Sequence, residues 1–189
     1  MRRPVRNPDV LPVDLDTLPT PNGFDQVVAT FGNPTDRGWA AANIVKVSPI
    51  DPFLLFFQED NNSLIPVSGI QIHRKLKDNL QSVLHEIWEA AKERVNGTAT
   101  DAKVQRYLRE HRLDQHSGSF VIRNMRGGRR LSMHSFGIAI DWDANNNPQG
   151  NPNSTLPDFW YEIWAKHGWI DGRHFRTPDP MHVQFAKGT

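Results

Sequence analysis

The chain has 189 residues, with 22 Lys and Arg against 21 Asp and Glu, a formal net charge of +1. That balance supplies no field for a polyanion, which argues against a nucleic-acid partner, and 38% hydrophobic with 10% aromatic residues excludes wholesale disorder and suits one compact domain. With no cysteine, disulfides, thiolate metal sites and cysteine nucleophiles are ruled out, so any metal falls to histidines and carboxylates.

Five prolines among the first 22 residues predict an extended arm over 1–22, ahead of a single domain over 23–189. Arg2, Arg3 and Arg6 mimic the basic start of a signal peptide, but Asp9, Asp14 and Asp16 interrupt the stretch behind them. No stretch approaches the roughly 20 apolar residues of a membrane span, so neither an export signal nor membrane insertion is read. The apolar runs Ile44 to Val47 and Phe53 to Phe57, separated by Ser48-Pro49-Ile50-Asp51-Pro52, read as strand, turn and strand. Ile72, Leu76, Leu80, Val83, Leu84, Ile87 and Ala91 recur at helical spacing until Asn96-Gly97. A second helix is expected from Asp101 to Arg112 with Thr100 as its N-cap. Phe120 to Ile122, Gly137 to Trp142 and Met181 to Phe185 read as strands, and Leu156 to His167 as a short helix. Helices first and strands later, without regular alternation, predict an α+β domain.

The chemistry concentrates in Ser132-Met133-His134-Ser135-Phe136-Gly137-Ile138-Ala139-Ile140-Asp141. On a strand from Gly137, a period of two puts Gly137, Ala139 and Asp141 on one face and Ile138, Ile140 and Trp142 on the other. The first face is small and ends in a carboxylate, and His134 just ahead of it can fold back into the same space. In the last strand His182 and Gln184 share a face, which adds a third ligand candidate. A His, Asp, His set matches a catalytic zinc site, in which three protein ligands leave a fourth position for water. Zinc lowers the pKa of that water to about 7, but hydrolysis still needs a positioned base, and Asp179, three residues before His182, is the candidate.

Competing motifs fail on spacing. Asp141-x-Asp143-x-Asn145 begins like a calcium loop, but Asn146 and Pro152 stand where Gly and Glu are needed. His85-Glu86 opens like a zincin helix without its second histidine. His73, His111, His116 and His167 have no partner at a ligand spacing and read as structural. Arg123, Arg126, Arg129 and Arg130 around Gly127-Gly128 fit a loop beside an acidic substrate better than an RNA-binding stretch.

Ser132-x-His134-x-x-Gly137-x-Ala139-x-Asp141 followed by Asp179-x-x-His182 resembles the zinc peptidases of the M15 family. These include D-alanyl-D-alanine carboxypeptidases, the VanX and VanY enzymes and phage L-alanyl-D-glutamate endopeptidase endolysins. The likeness runs through Phe120 to Gly128 and His167-Gly168-Trp169-Ile170, over roughly 118–186, and less specifically over 24–95. It implies a Hedgehog/DD-peptidase-like fold, a small antiparallel sheet carrying the metal with helices packed on it. It further implies that His134, Asp141 and His182 bind Zn2+, that Asp179 is the general base, and that Arg123 stabilises the oxyanion. Ser132, Arg126 and Gln184 are expected to bind substrate. Two departures stand out: His182-Val183-Gln184 replaces the frequent His-x-Glu, and Asp171-Gly172-Arg173-His174-Phe175 replaces a Gly and Trp stretch, which leaves His174 at the substrate rim or on plain surface in preference to competing for the metal.

The resemblance implies hydrolysis of peptidoglycan stem peptides by a monomer, as a D-Ala-D-Ala carboxypeptidase. The alternatives are an L-alanyl-D-glutamate endopeptidase of the endolysin type and a non-catalytic, zinc-containing cell-wall-binding module. Cytoplasmic synthesis with action at the cell wall, after holin-type release or by another export route, completes the expectation.

Overall fold

The computed structural model describes residues 18–189. Most of the expected arm, residues 1–17, lies outside the described residues. Its last residues lie against the domain: Lys187 N–H donates to the Pro21 carbonyl at 2.8 Å, Gly23 N–H to the Lys187 carbonyl at 2.8 Å, and the Thr20 hydroxyl to the Gly168 carbonyl at 2.7 Å.

The fold is α+β, with five α-helices and two sheets among the described residues. Helix α1 (Phe24–Phe31) and the short α2 (Trp39–Asn43) lead into β1 (Ile44–Val47), β2 (Leu55–Gln58), β3 (Leu64–Val67) and β4 (Ile70–His73). Then come α3 (Lys77–Arg94), α4 (Asp101–Glu110), β5 (Gln115–Gly118), β6 (Ala139–Trp142), α5 (Asp158–Lys166), β7 (Ile170–Gly172) and β8 (Asp179–Gln184). Strands β1 and β4 form a two-stranded sheet; the other six run in the order β3-β2-β5-β6-β8-β7. In this larger sheet β2 and β5 are parallel and the remaining neighbours antiparallel.

Several expectations give way here. Strands β1 and β2 are not a hairpin, because the intervening prolines carry the chain from one sheet to the other. Helix and strand are interleaved rather than segregated, since four strands precede α3. Each is only four residues long, too short to show a period, and β3 carries Pro66, which its edge position tolerates. Ile72 belongs to β4 and Leu76 to a 3-10 turn, so the helical register begins only at Lys77. Residues 120–122 form no strand; the pairing β-strand lies just upstream, at Gln115–Gly118. Thr100 holds the N-cap position of α4 without a side-chain bond to the helix.

The core positions the site. Trp142 on β6, Trp160 and Trp164 on α5, Trp169 and Phe185 pack edge to face or tilted, with centroid separations of 4.9 to 5.9 Å. Each is almost completely buried, and such pairs contribute about 0.5–1.5 kcal/mol each beyond area burial. This aromatic stack backs β6 and β8, and α3 packs against α4 and α5 behind it. Among the described residues no helix is long and apolar enough to cross a membrane.

Candidate metal centre

His134 sits on a 3-10 turn, Met133–Phe136, that Ser132 begins: the Ser132 hydroxyl accepts the His134 N–H at 3.4 Å. The turn ends at Gly137, in the left-handed region at φ 65°. Any Cβ at this position would lie 2.6 Å from the Ile44 side chain and 2.8 Å from the His73 backbone nitrogen, a collision with both. Gly137 therefore lets the turn dock on β4, where His73 N–H donates to its carbonyl at 2.7 Å. Strand β6 starts two residues later than the sequence suggests, and Ala139 and Asp141 alone carry the small, acidic face.

Antiparallel pairing sets Asp141 directly across from His182 on β8. His182 Nδ1 lies 2.8 Å from Asp141 Oδ1, His134 Nε2 3.3 Å from Asp141 Oδ2, and the two imidazole nitrogens 3.2 Å from each other. The three side chains each offer one ligand atom, all within 4.8 Å of one another, the spacing of a shared metal ion. Among the described residues this is the one such group, and His174 does not join it.

The outward nitrogens are both engaged. His134 Nδ1–H donates to the Ser119 carbonyl at 2.6 Å, and His182 Nε2–H to Gln184 Oε1 at 3.1 Å. A carbonyl can only accept, so each bond directs the remaining lone pair, Nε2 of His134 and Nδ1 of His182, into the cluster. Burial pushes the Asp141 carboxyl up, but hydrogen bonds and charge from His134 and His182 outweigh it and hold the group far below the usual carboxylate range. For His182 burial pulls the imidazole down, and the bond to Asp141 more than reverses it, leaving the group raised.

Asp179 is buried at the start of β8. Burial, with the Asp141 charge adding to it, raises its carboxyl above the ordinary value against the opposing pull of His182, His134 and Arg126. Its Oδ2 accepts a hydrogen bond from Gln149 Nε2 at 3.3 Å, while Oδ1 is buried without a protein partner. Gly172 on β7 packs so tightly on the Asp179 backbone that any side chain there would displace it. Tyr161 adds a second restraint, its hydroxyl donating to the Pro180 carbonyl at 2.6 Å.

The other expected site residues divide. Arg126 reaches Asp179 through Gln149, its guanidinium donating to Gln149 Oε1 at 3.4 Å. The Arg123 guanidinium donates to the Asn124 carbonyl at 3.3 Å, and its backbone N–H and carbonyl bind Ser135 Oγ and Ser132 N–H. That residue thus braces the His134 turn in addition to presenting an exposed cation. Ser132 and Gln184, expected to bind substrate, are both buried, one capping the turn and the other hydrogen-bonded to His182.

Gln149 escaped the sequence reading because an Asn-Asn-Asn-Pro-Gln-Gly loop carries no period or ligand spacing. The loop is built from Asp143, which is fully buried and accepts hydrogen bonds from Gln58, Asn146 and Asn147 at 2.6 to 3.0 Å. Gly150 N–H then donates to the Pro178 carbonyl at 2.6 Å and holds Gln149 over Asp179. Asp143, in the rejected calcium-loop motif, is thus the hub that shapes the wall of the site. Phe175 adds an aromatic wall, its ring centroid 6.0 Å from that of His182.

Residues 126–185, which include His134, Asp141, Asp179 and His182, match the family model described as D-alanyl-D-alanine carboxypeptidase. Comparison with curated proteins and with solved structures gave no match. The match spans about a third of the chain. A histidine-aspartate-histidine cluster on the matched segment, with a buried carboxylate beside it, agrees with that description, and over this segment the chain is similar to the D-alanyl-D-alanine carboxypeptidases of the M15 peptidases.

Proposed function

We propose that the protein is a zinc peptidase that removes the terminal D-alanine from peptidoglycan stem peptides. The observation that carries the reading is the convergence of His134 Nε2, an Asp141 oxygen and His182 Nδ1 beside the partnerless Oδ1 of Asp179. Two imidazole nitrogens and one carboxylate oxygen are a donor set suited to zinc, and three ligands leave a position for substrate or water. When bound there, zinc would supply Lewis acidity toward the scissile carbonyl and acidify a water molecule.

The residues of the chain divide the remaining work. Asp179 takes a proton at Oδ1 and returns it to the leaving amine; its raised carboxyl moves toward the range in which a base can also act as an acid. The Gln149 bond to Oδ2 keeps the other oxygen from turning inward. Arg123 supplies positive charge for the developing oxyanion. Arg126, tethered beside the base and otherwise exposed, suits the free terminal carboxylate that distinguishes a carboxypeptidase substrate.

Mass spectrometry of muropeptides incubated with zinc-loaded protein, with a chelator-treated control, tests this reading. Metal-dependent loss of one terminal D-Ala is the expected result. Release of stem peptides at the L-Ala to D-Glu bond would replace carboxypeptidase by endopeptidase, and no metal-dependent product from folded, zinc-containing protein would point to a binding module.

A further inference from the structure

We infer that Gln184 is a positioning residue for the metal centre, and that the polarity of its amide is set by the segment 186–189. Gln184 is 5% exposed at the end of β8. Its Oε1 accepts from His182, and its Nε2 donates to the Ala186 carbonyl at 2.9 Å and to Thr189 Oγ1 at 2.8 Å. An amide has one donor end and one acceptor end. With both amide protons committed to residues beyond the strand, only the oxygen can face His182. The imidazole must then carry its proton on Nε2, which leaves Nδ1 as the metal-facing atom.

The segment that fixes the amide is itself held. Lys187 is clasped between Pro21 and Gly23 by two backbone hydrogen bonds, so residues 21–23, Lys187, Gln184 and His182 form one connected chain of contacts. The neutral amide also sets the charge of the centre. Ser119 offers a backbone carbonyl behind His134 and Gln184 an amide oxygen behind His182, so Asp141 is the one anionic group among the ligands and the acceptors behind them. A dication there is held with the orientation of His182 depending on one amide, and removing that acceptor should loosen the metal.

This inference rests on the metal-peptidase reading and is tested by metal affinity rather than turnover. Zinc binding is measured by chelator competition on the full chain, on Gln184→Met, which keeps length but removes the acceptor, and on Thr189→Val, which leaves Gln184 in place. Thermal unfolding of the metal-free proteins and the absorption spectrum of the cobalt forms accompany the titrations. Gln184→Met is expected to bind zinc about 10- to 100-fold more weakly and to alter the cobalt spectrum. Thr189→Val, outside the site, is expected to weaken zinc by a smaller factor in the same direction, which covers the case in which Gln184→Met fails to fold. Zinc affinities of the two variants within about twofold of the parent would overturn the inference alone. Absence of zinc binding by the parent chain would overturn the metal reading together with it.

Discussion

Strand β6 has a buried histidine on each side, and the two behave oppositely. Asp141 pairs across the sheet with His182, and its neighbour Trp142 pairs with His116. The two histidines are equally buried, at 7% and 6% exposure. His182 has both nitrogens engaged, and the adjacent Asp141 raises its imidazole. His116 lies against the Phe57 and Trp142 rings with neither nitrogen bonded, and burial lowers it to about 4. Because successive residues of a strand face opposite ways, one step along β6 separates the His-Asp-His cluster from a core residue. Equal burial therefore gives opposite shifts; what differs is an acidic neighbour and a fixed acceptor behind the His182 ring.

The sharpest way to break this contrast is to remove a ligand. His134→Ala takes away the Nε2 that faces Asp141 and His182, and is expected to abolish stoichiometric zinc binding and peptidase activity together. Elemental analysis of the purified variant after zinc loading checks it. Retention of one zinc per chain with normal turnover would mean that the His-Asp-His cluster is not the centre.

Next in size is the proposed base. Asp179→Asn preserves the shape of the side chain while removing its ability to take a proton, and is expected to lower kcat by about 10² to 10⁴ with zinc still bound. The fall should appear in kcat rather than KM, because the carboxylate acts on the proton being transferred and not on substrate binding. Parental turnover in the zinc-loaded variant would remove Asp179 from the mechanism and leave the orphaned Oδ1 as an accident of packing.

The His-Asp-His cluster was legible before the fold was. His134, Asp141 and His182 stand out because a period of two, a glycine and a small residue isolate them from the apolar positions around them. The Asp179 spacing follows from the same strand. What could not be read depends on contacts far apart in the chain. Gln58 is 85 residues from the Asp143 carboxylate it binds, and Tyr161 reaches the Pro180 carbonyl from a helix. Ser132 and Gln184 were assigned to substrate on the resemblance alone, which does not tell what covers a residue; both are buried, and the segment 186–189 hydrogen-bonds Gln184. The strands before α3 were blurred for a different reason, being four residues each and interrupted by Pro66 and the Ser68-Gly69 step. Gly69 sits so close to the Val47 backbone that any Cβ would collide with it, a close approach visible only once β1 and β4 are paired.

The smallest effect tests the other side of β6. A histidine whose folded-state pKa is lowered stays neutral in the native state while the unfolded chain takes up its proton below about 6.5. The native state thus loses stability as pH falls from about 6.5 toward about 4, where the folded His116 also protonates, with a slope of at most about 1.4 kcal/mol per pH unit. His73, buried against Phe31 and Trp39 and likewise lowered to about 4, contributes in the same direction. His116→Phe fits the aromatic surroundings and removes one of these two liabilities. The loss of unfolding free energy between pH 7 and pH 5, from urea titrations at each pH, is expected to be smaller in the variant by on the order of 1–2 kcal/mol. Comparing each protein with itself across pH cancels the change in packing and the titration of the His-Asp-His cluster, which the two proteins share. Equal losses would mean that His116 is solvated or bonded in solution, and the contrast between the two sides of β6 would then rest on the acidic neighbour alone.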